Sequence, residues 1–224
     1  MEPIDFLEQQ DRTAIKVCGI TTPTQARDIT ALDVDALGVN FWPSSKRYLA
    51  PTIAQEWLPE ICVETTVVAV FVNPSIEDLV DYYENELFDV AQLHGDESPE
   101  FCQQLAARDI PFIKALGVGD SAQLGDLDPY ATRYLLLDAA QEGYGGGGHS
   151  FDWNLASDII QSHPNHRILL AGGLTPITVK DAVITARPAA VDVASGVEAS
   201  PGLKDLALVE DFVSLVRKAE GPPS

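Results

Sequence analysis

Eight short apolar runs, each separated from the next by an amphipathic or turn-rich stretch, constrain this chain more than any other feature. They are Ala14 to Cys18, Ala36 to Phe41, Thr66 to Val72, Phe88 to Leu93, Ile110 to Ala115, Tyr134 to Leu137, Arg167 to Ala171 and Ala190 to Ala194. The runs are continuously apolar rather than alternating, as strands buried on both faces must be. Helical stretches are expected between them, near Pro51–Leu58, Ser75–Glu86 and Ser98–Ala107, with Pro23, Pro51, Pro74, Pro99 and Pro176 placed near helix starts. The weakest is the fifth, around Asp120–Leu127, where glycines and aspartates suggest a short or irregular element. Eight uninterrupted βα units predict an α/β fold, a single (β/α)8 TIM barrel over residues 14–218, with an N-terminal extension at 1–13 and a tail at 219–224. The extension is expected to be frayed or a short helix. A doubly wound sheet is the alternative, but it would leave edges to protect and lacks a G-x-G-x-x-G after its first strand.

Composition narrows the function classes. The chain has 34 acidic and 14 basic residues, a formal net charge of −20. With no basic patch to neutralise phosphates, nucleic acid is not expected as a partner. No apolar run approaches the roughly 20 residues of a membrane helix, and Met1–Arg12 is too polar for a secretory signal. Three cysteines without a C-x-x-C pair argue for a reducing, cytoplasmic setting, with Cys62 and Cys102 as packing residues. No His and carboxylate cluster has metal spacing, so no metal is expected.

In parallel barrels ligands meet the carboxyl ends of the strands. The first strand ends on Cys18, and Gly19 frees the backbone to turn before Thr21 or Thr22 caps a helix. The sixth ends on Asp138. A thiol and a carboxyl pointing into one mouth make an acid–base pair, although Cys18 also reads as a small core residue and Asp138 as a helix cap. For the thiol to act as a base its pKa should be lowered by a nearby cation; Lys16, two residues earlier, points the same way. The acid would have to carry its proton. Gly172-Gly173 after strand seven and Ser195-Gly196 after strand eight bring backbone N–H groups to an anion without Cβ obstruction, and with Asp192 at the end of strand eight they form the expected phosphate region. Arg47 offers a bidentate fork to a carboxylate, or is a surface arginine beside Lys46. His94 is a substrate contact or a satisfied structural histidine, and His163 and His166 are solvated loop residues.

Taken jointly, these motifs resemble a known family. Lys16-Val17-Cys18-Gly19-Ile20-Thr21, Ser45-Lys46-Arg47-Tyr48, Gln92-Leu93-His94-Gly95, Phe151-Asp152-Trp153, Ala171-Gly172-Gly173-Leu174 and Ser195-Gly196-Val197-Glu198 with Gly202-Leu203-Lys204-Asp205 are similar, in order, to signatures of phosphoribosylanthranilate isomerase of tryptophan biosynthesis. The resemblance implies a metal- and cofactor-free Amadori rearrangement of N-(5-phosphoribosyl)anthranilate to 1-(2-carboxyphenylamino)-1-deoxyribulose 5-phosphate. It implies Asp138 as general acid toward the furanose oxygen, Cys18 as general base at carbon 2, Arg47 at the anthranilate carboxylate, and Gly173 with Ser195-Gly196 at the phosphate. A small phosphorylated molecule is then the partner, bound by a monomer or homodimer. Gly146-Gly147-Gly148-His149 lacks the family's usual hydroxyl residue, and Ala194 replaces a common serine, so a looser sixth loop and weaker binding are expected. A pentose-phosphate epimerase would want metal-binding strand ends, which the sequence does not offer. A barrel that binds a phospholigand without turnover would not need both Cys18 and Asp138.

Overall fold

The structure is a computed structural model that describes residues 4–9, 11–118, 126–139 and 152–220. Eight parallel strands close into a barrel in sequence order: β1 (Ala14–Cys18), β2 (Ala36–Asn40), β3 (Thr66–Phe71), β4 (Val90–Leu93), β5 (Phe112–Val118), β6 (Tyr134–Ala139), β7 (Arg167–Leu170) and β8 (Ala190–Val193). The expected strands are all present. Closure comes from β1 pairing with β8, with Lys16 opposite Asp192.

Helices follow the strands and begin where their caps dictate. In α1 (Pro23–Thr30) the Thr22 side chain accepts from the Gln25 N–H, and Pro23 stands where no N–H is needed. Ser75 caps α4 (Ile76–Glu84) and Ser98 caps α5 (Pro99–Ala106) in the same way. The expected single helix at 51–58 is instead two, α2 (Pro51–Ala54) and α3 (Leu58–Glu64). Pro59 is the reason: inside a continuous helix it would remove a hydrogen bond and strike the preceding turn, whereas at the start of α3 it costs nothing. The remaining helices are α6 (Trp153–Ser162), α7 (Val179–Ala186) and α8 (Leu206–Ala219), and β9 (Glu198–Ser200) pairs with β10 (Leu203–Lys204) as a small antiparallel ribbon. The glycine-rich stretch at 143–148, with His149 and Phe151, lies outside the described residues. So do 221–224 and most of the expected fifth helix, of which the described remainder leads into a 3-10 turn at Asp128–Tyr130.

Side-chain alternation along the strands builds two cores. Outward residues such as Ile15, Val17, Leu37, Val39, Leu135 and Leu137 pack with the helices. Inward residues fill the barrel: Ala14, Ala36, Val68, Val90, Ile113, Ala115, Leu136, Leu169, Ala171 and Ala190. Five of these ten are alanine, too small to fill the lower barrel alone. The space is taken by Phe6 and Leu7, from a 3-10 turn at Asp5–Leu7. Arg167 holds this turn by donating to the carbonyls of Leu7 and Gln9, at 2.7 Å each, and the Tyr134 hydroxyl donates to Glu8 at 2.6 Å. The described part of the extension is therefore a short helix serving as the barrel's bottom plug.

Leu7 is fully buried, so Leu7→Ala should lower unfolding free energy by about 2–4 kcal/mol. Urea denaturation measures this, and a cost below about 1 kcal/mol would show that the plug does not support the barrel.

Candidate active site

The carboxyl ends of the strands surround a cavity of about 600 Å³. Cys18, Arg47, His94, Asp138, Gly172, Gly173, Asp192 and Ser195 all line it. The expected site residues thus converge, apart from Gly196, which lies one residue beyond the lining.

Inward parity explains the floor. Lys16 shares a face with Cys18 and is fully buried. Its ammonium donates to the Asp192 carboxylate at 2.9 Å. Burial opposes the Lys16 charge, but Asp192 and Cys18 more than offset it, and the pKa is raised. Asp192 lines the cavity together with Gly172, Gly173 and Ser195 and is at the same time the counter-ion of Lys16. One expectation is corrected: the thiol is not lowered. Burial pushes Cys18 up, Lys16 and Lys204 pull it down, and Asp192 pushes it up again, leaving it above the ordinary 9.0. The cation that was to activate the sulfur is shared with a carboxylate. Room for the sulfur comes from Gly38, where a Cβ would lie 2.6 Å from Sγ.

Arg47 lies across Gly19, whose φ of +88° turns the chain out of β1; a Cβ at Gly19 would meet Arg47 Cδ at 2.4 Å. The guanidinium is not a solitary surface charge. Its Nε and Nη2 donate to the two oxygens of Glu198 at 2.7 and 2.6 Å. Lys204 also donates to Glu198, at 2.9 Å, and to the Ala194 carbonyl at 2.9 Å. Burial pushes the Glu198 carboxyl up, but Arg47 and Lys204 hold it below its ordinary 4.5. Glu198 and Lys204 were present in the quoted motifs without a role, because the Arg47–Glu198 contact crosses from the loop after β2 to the ribbon after β8.

The other rim belongs to glycines. Gly172 and Gly173 adopt φ of +80° and +69° and present backbone toward the cavity. Gly196 is where a Cβ would fall 1.9 Å from the Leu174 carbonyl, so only glycine lets the seventh and eighth loops lie together. On the far wall His94 Nε2 stands 3.4 Å from Asp138 Oδ2, and Gln92 Nε2 stands 2.9 Å from His94 Nδ1. His94 is therefore a wall residue of the site, tied to Asp138. Next in the chain, Glu97 accepts from the Asn73 and Gly95 N–H groups and from the Lys114 ammonium at 2.7 Å, and Lys114 also donates to the Gly95 carbonyl at 2.8 Å. Among the described residues no group of three or more His, Cys, Asp or Glu could hold a metal ion, and no helix is long and apolar enough to cross a membrane.

A barrel mouth with a thiol, a carboxyl and glycine loops suited to an anion is the arrangement of enzymes that move protons on phosphorylated ligands. The chain belongs to the N-(5'-phosphoribosyl)anthranilate isomerase family, whose model matches residues 15–215. A relative of that name from Ralstonia nicotianae is 41% identical over 220 residues, covering 93% of this chain and 94% of its own. The crystal structure of phosphoribosyl anthranilate isomerase from Thermotoga maritima superposes with a TM-score of 0.79 at 36% identity, covering 92% of this chain and 99% of that one. Another crystal structure of such an isomerase, in complex with reduced 1-(o-carboxyphenylamino)-1-deoxyribulose 5-phosphate, gives 0.76 at 34% identity, with the same coverage.

Two measurements follow from the electrostatics. Alkylation of Cys18, read by mass spectrometry, should stay slow at pH 8 and accelerate only above pH 9.0, the ordinary thiol value; fast labelling at pH 7 would mean an activated thiolate in the free protein. Because the folded Glu198 pKa lies below 4.5, its stabilisation is complete above that value and is lost as pH falls through the folded value. Glu198→Gln should therefore destabilise at pH 7 and approach the parent protein near pH 3, in urea unfolding at both; an equal deficit at the two pH values contradicts this.

Proposed function

We infer that this chain isomerises N-(5'-phosphoribosyl)anthranilate to 1-(2-carboxyphenylamino)-1-deoxyribulose 5-phosphate, an Amadori rearrangement of tryptophan biosynthesis. The observation that carries the reading is that Cys18 and Asp138 open onto one cavity rimmed by Arg47 and the paired glycines, in a chain of this family. Asp138 is assigned as the general acid: it gives a proton to the furanose oxygen, and the ring opens to a Schiff base. Cys18 is assigned as the general base: its thiolate takes the proton from carbon 2, giving an enolamine that tautomerises to the ketone. Lys16 and Lys204 favour the thiolate against burial and Asp192, and it is the ionised fraction of the thiol, its proton already lost to solvent, that acts as the base. Backbone at Gly172-Gly173 and Ser195-Gly196 is assigned to the phosphate, and Arg47 to the substrate carboxylate, which would share or displace Glu198. One solved relative is described as a dimeric isomerase; for this chain a monomer or a homodimer is proposed.

Purified protein should consume N-(5'-phosphoribosyl)anthranilate in a fluorescence assay. Cys18→Ala and Asp138→Asn should each lower kcat by about 10²–10⁴ while leaving binding of a reduced product analogue within a few-fold. Activity near that of the parent in both variants would refute the assignment of roles.

A further inference from the structure

Gln92 is the one buried side chain of the cavity wall with an unexplained polar atom. It is 1% exposed, and its Oε1 has no hydrogen-bond partner among the described residues. Its other end, Nε2, faces His94 Nδ1 at 2.9 Å, and the opposite ring nitrogen of His94 faces Asp138 at 3.4 Å. Three side chains therefore stand in line, amide to imidazole to carboxyl, ending on the group assigned as the acid. We propose that Gln92 and His94 are positioning residues for Asp138: the amide sets the His94 tautomer, and the tautomer decides whether Asp138 meets a donor or an acceptor. The inference rests on Asp138 being the general acid.

The proton count follows from the donors. With the Gln92 NH₂ toward Nδ1, that nitrogen must offer its lone pair, so neutral His94 carries its proton on Nε2. The Nε2–H then donates to Asp138, and this state suits the ionised carboxylate. A proton added to Asp138 at that oxygen would face another donor. Turning the amide by 180° reverses every polarity. Oε1 then accepts from Nδ1–H, the Nε2 lone pair faces Asp138, and a protonated Asp138 donates to it. That state holds one more proton, on the carboxyl that must give it to the ring oxygen. In the orientation with Nε2 toward His94 the buried Oε1 is left without a partner, so burial does not hold the amide in that orientation. The protonation of Asp138 makes the choice. The orphaned oxygen is thus the acceptor reserved for His94 when the acid is loaded. Rigid support comes from the strand itself, since Gln92 sits in β4 opposite Val70 of β3 and Ile113 of β5.

The test compares Gln92→Met, which keeps length but cannot hydrogen-bond, with Gln92→Glu, whose carboxylate can only accept from Nδ1–H. In Gln92→Met kcat should fall about tenfold or more, part of the full worth of an acid, with KM within about twofold. Gln92→Glu should recover to within about threefold of the parent, which lost packing alone would not explain. Nitrogen-15 NMR of the histidine rings at pH 7.5 should find His94 with Nδ1 unprotonated in the free parent protein and with Nδ1 protonated in Gln92→Glu. Full kcat in Gln92→Met, a Glu variant no faster than the Met variant, or the same protonation of Nδ1 in both proteins would overturn the proposal. Asp138→Asn separates the two levels. If it stays active, the acid assignment falls and this inference with it; if it is inactive while Gln92→Met is fully active, only the inference falls.

Discussion

The pairing of the first strand with the last holds the rest in place. It closes the barrel, and its register sets Lys16 opposite Asp192, residues 176 apart in sequence, with both side chains inside. Taking two charges from water is costly, and either one alone in this interior would be worse than neither. The pair thus ties the floor of the cavity to the closure of the sheet. Everything above the floor inherits its position from the same strand parity: Cys18 above Lys16, Asp138 above Leu136, and Gln92 above Val90.

This arrangement also explains how a chain of net charge −20 can present a mouth to an anion. Three of the cations there are matched. Lys16 is matched by Asp192, and Arg47 and Lys204 are matched by Glu198. Among the described residues Lys46 is the exposed cation at the rim, and the backbone proposed for the phosphate is aimed by glycines whose conformations and close contacts exclude larger residues. Donors of that kind act at short range and depend little on the sign of the surrounding surface.

Much of this was readable along the chain, and the failures have physical causes. Buried strands and capped helices carry local signatures, so β1 ending at Cys18 and the Thr22 cap were visible. Two-residue alternation correctly put Lys16 on the same side as Cys18. What alternation cannot tell is where the charge of Lys16 is spent, because that depends on the register with β8. The same holds for Glu198, whose partner Arg47 is 151 residues away. Phe6 and Leu7 gave no periodic signal, because a three-residue turn is too short to have one. The break between α2 and α3 was legible in Pro59, the residue just past the expected helix. Gln92 and His94 were also within reach, since residues two apart on a strand share a face; the quoted motif contained both, but the sequence showed no reason to link them to Asp138.

The grip of Glu198 on Arg47 has a consequence for selectivity. The protein already carries a built-in imitation of an anionic guest, seated on the guanidinium with both oxygens. Any visitor whose own carboxylate claims that fork gains only the difference between two similar contacts, so this corner adds little to raw affinity. A neutral look-alike gains nothing there at all and finds the seat taken. On the assignment of Arg47 to the substrate carboxylate, the corner therefore sorts charged from neutral guests only by that narrow margin, and the sorting must come from the rest of the mouth.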